Sequence, residues 1–134
     1  MRRSLGKQSL IVAKNPLHLR LSLDADQRLA AAAGGAMRVF ADAAGLSNDK
    51  IAELQVAVLS ACNLCFMTHH DNTSRCRVDF HRLDDRIEVE LSVPGEKAPE
   101  EMPATNWTGV DEVKCENRED SGVLRLTKFV STIA

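Results

Sequence analysis

This sequence lacks an excess of positive charge and any long apolar run. Its 134 residues include 17 Lys and Arg against 19 Asp and Glu, which gives a net charge of -2 and an isoelectric point near 6.1. Without an extended positive field a protein attracts phosphate backbones poorly, so we expect no nucleic-acid partner. The apolar stretches are far shorter than the about 18 residues that span a bilayer, and residues 10–13 are too few for a signal-peptide core. These absences predict a cytoplasmic protein that does not associate with a membrane.

The few cysteines of the chain do not indicate a disulfide framework. The chain has four cysteines, Cys62, Cys65, Cys76 and Cys115, and without an export signal we expect them to be reduced and mostly buried. Cys62, Cys65 and His69 would share one face of a continuous helix, so a zinc site is the alternative. Because the two cysteines also belong to an apolar stripe, we favour buried thiols and expect no metal site.

Two further features leave the chemistry undefined. No nucleophile motif accompanies His69, His70 and Asp71, so we expect no catalytic residue in that run. Trp107 is the only tryptophan. Three roles are open for it: it fills the space that a ligand would occupy, it anchors a partner, or it covers the edge of the core.

The apolar content is sufficient for a single domain. Hydrophobic residues make up 44% of the chain and charged residues 27%, and a chain of this size buries about two thirds of its unfolded surface. We expect one domain over residues 16–134, preceded by an N-terminal segment over residues 1–15 that can add an edge strand.

The chain first predicts a strand and a helix. Leucines alternate with polar residues over residues 17–23, which is the period of a half-buried strand. Asp24 and Gln27 have the spacing of a capping box that would begin the helix, and Gly34 and Gly35 predict a kink or a close backbone contact within it. The expected buried face consists of Leu29, Ala32, Ala33, Ala36, Val39, Phe40 and Ala43.

A second helix is predicted directly after the first. Gly45 would end the first helix, and Ser47 would cap a helix over residues 48–67. Its apolar stripe is Ile51, Leu54, Val58, Ala61, Cys62 and Cys65. Since Val56 and Leu59 leave little of the circumference polar, we expect this helix to be buried on most sides.

The remainder of the chain predicts two hairpins. Alternating patterns over residues 76–80 and 87–93, joined by an Asp-Asp turn, predict the first hairpin. A proline-containing loop over residues 94–108 separates it from the second, over 110–116 and 123–130. The order of strand, helix, helix, hairpin, loop and hairpin predicts an α+β fold, a two-layer sandwich whose mostly antiparallel sheet is covered by two helices.

Four segments resemble a known family. They are Gly-Leu-Ser at residues 45–47, the helical sequence at 51–62, Val-Asp-Glu-Val at 110–113 and the final strand at 122–129. In this order they resemble the anti-sigma factor serine kinases, which have the histidine-kinase-like (Bergerat) ATPase fold, over residues 16–130. The resemblance implies a domain that sequesters a sigma factor, or that binds a small anti-sigma antagonist and phosphorylates it on serine.

The catalytic pair of that family is replaced in this chain. The family carries a Glu as base and, four residues later, an Asn as Mg²⁺ ligand, and these positions fall on Ser60 and Leu64. Leucine has no oxygen for a hard cation, and a serine hydroxyl without a partner base is a poor proton acceptor. Glu53, the only glutamate of the helix, is followed four residues later by Ala57.

The adenine-reading position is also replaced. Val93 stands where the family has an Asp, and Gly95 alone remains of the glycine-rich loop that should follow. Valine cannot accept a hydrogen bond from the adenine amino group. Thr127 is the one nucleotide-side residue that still matches, so Ser60, Leu64, Val93, Gly95 and Thr127 mark a degenerate nucleotide pocket.

These substitutions predict a regulatory protein that binds a sigma factor or its antagonist without kinase activity and without a cofactor. One alternative is a divergent serine protein kinase that still binds ATP and Mg²⁺. Another is a sensor whose emptied pocket, lined by Leu64 and Val93, takes a small apolar ligand. We also expect a homodimer through a sheet edge or the N-terminal strand, because open sheets protect their edges in this way and kinases of the family are dimers.

Overall fold

The computed structural model describes residues 16–68, 75–94, 109–119 and 121–130. Its elements are β1 (Leu17–Asp24), a 3-10 turn (Gln27–Leu29), α1 (Ala30–Ala43), α2 (Asn48–Thr68), β2 (Arg75–Arg82), β3 (Arg86–Pro94), β4 (Glu112–Arg118) and β5 (Ser121–Phe129). This order of strand, two helices and two hairpins is the predicted one. The strand expected within residues 1–15 and most of the loop over 94–108 lie outside the described residues.

The five strands form one sheet in the order β1-β2-β3-β5-β4, and every neighbouring pair is antiparallel. Residues that are paired in register point to the same side of a sheet. One apolar row that crosses all five strands consists of Leu21, Val78, Leu91, Leu124 and Cys115. Such rows make one side of the sheet apolar and leave the other side polar.

The two helices cover the apolar side. α1 packs on β2, α2 packs on β3 and β5, and the helices pack on each other. Met37 and Leu54 reach the core from the helices, and the rings of Phe40 and Phe80 meet with their centroids 5.6 Å apart. The fold is therefore a two-layer α+β sandwich, as predicted.

The beginning of the first helical segment differs from the prediction. Asp26 Oδ1 accepts a hydrogen bond from the backbone N–H of Arg28 at 2.9 Å, so Asp26 caps the 3-10 turn that precedes α1. Asp24 is the last residue of β1 and lies 3.3 Å from Arg75 across the sheet. The predicted capping box is wrong because β1 extends through Asp24.

The buried face of α1 is rotated from the predicted face. Ala32, Val39 and Ala43 are exposed, and Val39 retains 69% of its surface. The buried residues are Ala30, Ala33, Gly34, Met37, Phe40 and Ala41. A helix with alanines on several faces does not define its buried face by periodicity, so the larger Met37 and Phe40 determine the orientation.

The close backbone contact predicted at the glycines of α1 does not form, because a Cβ at either glycine would meet at most ordinary van der Waals contacts. A Cβ added to Gly34 would lie 3.6 Å from Cγ of Gln55 on α2, whereas a Cβ on Gly35 would meet nothing within 4 Å. Gly45 has a φ of 91°, a left-handed conformation that glycine adopts at little cost, and it follows the end of α1 as predicted.

The predicted stripe of α2 is buried in full, from Ile51 to Cys65. The expectation of burial on most sides is wrong, because Val56 is 61% exposed and an outer-layer helix keeps one side in solvent. Although α2 has 21 residues, no helix within the described ranges is long and apolar enough to cross a membrane.

Candidate functional site

The side of the sheet opposite the helices, which we call the open face, carries most of the ionisable side chains of the strands. His18 is paired with His81, and Arg20 with Asp79. On the next strand Glu88 and Glu90 continue these two rows. The strand pairing therefore gathers residues that are about sixty positions apart in the chain, such as Arg20 and Asp79.

Three residues of the open face, His18, Asp79 and His81, form what we call the histidine–aspartate cluster. The Nε2 of His18 lies 3.0 Å from Oδ1 of Asp79, and the two imidazole rings stack with centroids 4.4 Å apart and planes 10° apart. Each residue offers one potential ligand atom, an imidazole nitrogen or a carboxylate oxygen, and these three atoms lie within 4.8 Å of one another. The chemistry available here is metal ligation or proton exchange at imidazole.

Arg20 holds the carboxylate of the cluster. Its Nε donates a 2.7 Å hydrogen bond to Oδ1 of Asp79, which is only 7% exposed. Burial alone would raise the pKa of Asp79, but the hydrogen bonds and charges of Arg20 and His18 outweigh burial and hold that pKa below its ordinary value of 3.8. Asp79 is therefore an anion at neutral pH.

The polar pattern of the strands does not by itself identify this cluster. His18 and Arg20 alternate with the leucines of β1, and Asp79 and His81 alternate with the apolar residues of β2. Each pair shows only which side of its own strand is polar. The register that places His18 opposite His81 depends on how the strands align, which periodicity does not specify.

A second charged group spans β3, β5 and β4 on the same face. Glu90 lies 2.8 Å from Arg125 and 3.1 Å from Arg118, and Glu116 lies 2.8 Å and 2.9 Å from the same two arginines. Burial raises the pKa of Glu90. The hydrogen bonds and charges of the two guanidinium groups lower it by more, so the pKa of Glu90 lies below its ordinary value. Each of these four side chains is ion-paired within the network, so we assign the network a role in stability.

The predicted nucleotide-pocket residues are distributed over both sides of the sheet. Ser60 and Leu64 are half-buried and one helical turn apart on α2. Val93 is 3% exposed and belongs to the core under the helices. Gly95 lies outside the described residues, as do His69, His70, Asp71 and Trp107.

Thr127 does not join the other predicted pocket residues. It is paired with Glu88 on β3 and Glu112 on β4, which places its side chain on the open face. Its neighbour Leu126 lies in the core on the helix side. The one residue that matched the family motif is thus separated from Val93 by the thickness of the sheet.

Three of the four cysteines are buried, and Cys115 is half-buried. Burial raises the pKa of Cys62, Cys65 and Cys76 to about 12 each, and partial burial also raises the pKa of Cys115. The prediction of reduced, mostly buried thiols is confirmed. The zinc alternative at Cys62, Cys65 and His69 stays a prediction, because His69 lies outside the described residues.

A scan of protein-family models found no match to this chain, and a search of curated proteins found none either.

Proposed function

We propose that this protein is a regulatory protein-binding module that sequesters its partner and does not transfer a phosphoryl group. The observation that carries this proposal is the burial of Val93. The residue at the position that would read adenine is 3% exposed and packed in the core. An apolar side chain in a packed core offers adenine neither a hydrogen-bond acceptor nor space.

The residues of α2 support the same proposal. Ser60 and Leu64 lie one turn apart, as a base and a Mg²⁺ ligand would have to lie, but an alcohol and an alkyl group supply neither function. Thr127 faces the other side of the sheet. The described residues therefore bring no acid, base or cation ligand to the positions that the resemblance assigns to catalysis.

The proposed partner is a sigma factor or a small anti-sigma antagonist domain, an assignment that rests on the resemblance. A partner surface on α1 is supported by Val39, which is 69% exposed. Exposed apolar side chains serve as anchors of protein interfaces. The cytoplasm, where sigma factors act, is the proposed location.

Self-association through β1 is a further part of this proposal. β1 is at one edge of the sheet formed by the described residues, and its leucines at 17, 19, 21 and 23 are only half-buried. An edge strand with unused backbone groups and a partly covered apolar side can pair with a second copy. Sedimentation of the purified chain over a range of concentrations measures this association directly.

Two experiments test the proposed function. The first is thermal unfolding with and without millimolar Mg·ATP; a site with a micromolar dissociation constant would add about 4 kcal/mol at 1,000-fold excess. We expect no shift, and a clear rise in Tm would instead support the divergent-kinase alternative. The second is binding to purified sigma factors and antagonist domains from the same genome, measured by calorimetry.

A matched pair of variants locates the binding surface. We expect Val39→Glu on α1 to weaken partner binding without a change in Tm. Val56→Glu makes the same change at an exposed valine of α2 and is expected to leave binding intact. Failure of every sigma factor and antagonist to bind, or equal effects of the two variants, would contradict the proposal.

A further inference from the structure

We propose that the histidine–aspartate cluster on the open face binds a divalent transition-metal ion of the zinc type. Two imidazoles and one carboxylate are a donor set that suits zinc, copper and nickel. Their ligand atoms already lie within 4.8 Å of one another. All three side chains project from paired strands, so the sheet holds the donors together before the ion arrives.

The carboxylate of Asp79 is already oriented toward the cluster. Its Oδ1 lies 3.0 Å from Nε2 of His18 and 2.7 Å from Nε of Arg20. The side chain of Arg20 is 58% exposed, so solvent screens its positive charge and the guanidinium has room to move aside. Glu88 is opposite His81 in the neighbouring strand, and its carboxylate is paired with Arg86 at 3.0 Å.

Ligation requires a small rearrangement of His18. Its Nε2 now lies 3.0 Å from Oδ1 of Asp79, whereas zinc binds nitrogen and oxygen ligands at about 2.0–2.2 Å. The ion would replace this hydrogen bond and draw Nε2 and the carboxylate onto itself. The two rings are parallel within 10°, so the ring of His18 must tilt to direct its lone pair at the same ion as His81. The side chain of His18 is 45% exposed and has space to tilt.

Three protein ligands leave at least one coordination position to water. Closed structural zinc sites use four protein ligands, and open sites use three. The site is therefore of the open, exchangeable kind, with the metal on a solvent-facing sheet. Binding at this site does not depend on the proposed sequestration of a partner.

Calorimetric titration of the full chain with ZnCl₂, together with Co²⁺ absorption spectroscopy, tests the inference. We expect one ion per chain, and His81→Gln and His18→Gln each to weaken binding by about tenfold or more. The double variant His69→Gln/His70→Gln removes the other two histidines of the sequence and serves as the matched control, which should bind as tightly as the unaltered chain. Circular dichroism verifies that each variant is folded.

The Co²⁺ spectrum gives a reading that needs no variant. Nitrogen and oxygen ligands give only weak d–d bands, whereas cysteine ligation adds an intense sulfur-to-metal charge-transfer band in the near ultraviolet. A spectrum without that band supports the histidine–aspartate cluster. The inference is overturned by such a band, by unchanged affinity in the His18→Gln and His81→Gln variants, by loss of binding in the control variant, or by no binding to the unaltered chain.

Discussion

Arg20 and Asp79 are direct partners across β1 and β2, and the Nε of Arg20 donates a 2.7 Å hydrogen bond to Oδ1 of Asp79. The carboxylate is almost fully buried although it lies on the side of the sheet away from the helices. A buried carboxylate is stable only when charge and hydrogen bonds compensate for its lost hydration. The pair therefore contributes to stability.

Acid should remove the contribution of Asp79 to stability. Its pKa is lowered in the folded protein, so its stabilisation is present above the ordinary value of 3.8 and is lost as the pH falls through the folded value. We expect Asp79→Asn to cost about 1 kcal/mol at pH 7, a small figure because Arg20 is more than half exposed. The difference should shrink below pH 3.8, as measured by urea unfolding at several pH values. Asp42→Asn, at an exposed position of α1, is the control, and an equal pH dependence in both variants would refute the assignment.

The charge network on the open face should be sensitive to the loss of Glu90. Glu90→Gln removes the more buried of the two carboxylates that Arg118 and Arg125 share, and we expect a loss of about 1–2 kcal/mol in the free energy of unfolding. The control is Glu112→Gln, because Glu112 lies 4.0 Å from Lys114 in an exposed pair. We expect it to change stability by less than about 0.5 kcal/mol. Chemical denaturation in low and high salt measures both, and similar losses would contradict the network.

Two glycines should respond to alanine in opposite directions. A Cβ on Gly109 would overlap the backbone carbonyl of Glu53 on α2, so Gly109→Ala must displace the chain there, at a cost of about 1–3 kcal/mol or more. Gly35 is exposed within α1 with open space around it, so Gly35→Ala should stabilise the protein by up to about 1 kcal/mol. Thermal unfolding of both variants checks the signs. A stable Gly109→Ala variant would show that this contact is not tight in solution.

The sequence predicted the layers of this fold because both kinds of element have clear periodicity. The strand residues of β1 and β3 alternate without exception, and the stripe of α2 repeats at helical spacing. The predicted face of α1 was right at Ala33 and Phe40 but missed Met37, since alanines on every side contribute equally to a helical pattern and carry too little apolar area to decide the face.

The candidate site could not be predicted in the same way. His18 and His81 are 63 positions apart, and their stacking depends on the register of β1 against β2. A shift of two residues would keep every apolar side chain on the helix side and would separate the cluster. The positions taken from the resemblance were predicted from motif order alone, which did not reveal that Thr127 and Val93 lie on opposite sides of the sheet.

The buried cysteines should be almost inert toward alkylation in the folded protein. Burial raises the pKa of Cys62 and Cys76 from 9.0 to about 12, which lowers the thiolate fraction at pH 8 by about 1,000-fold, and the thiolate is the reacting form. Both side chains are also fully covered by the core. We expect iodoacetamide to modify Cys115 first, since it is the only half-buried cysteine of the four, as measured by peptide mass spectrometry over time.

The unfolded chain provides the control for that experiment. In guanidinium chloride all four cysteines should react at similar rates, because burial no longer raises their pKa. Modification of Cys62 or Cys76 in the native protein would then have to follow global unfolding, so its rate reports the unfolding rate. Labelling of native Cys62 at a rate close to that of Cys115 would mean that α2 opens locally from the sheet. That result would contradict a core in which α2 is firmly packed on β3 and β5.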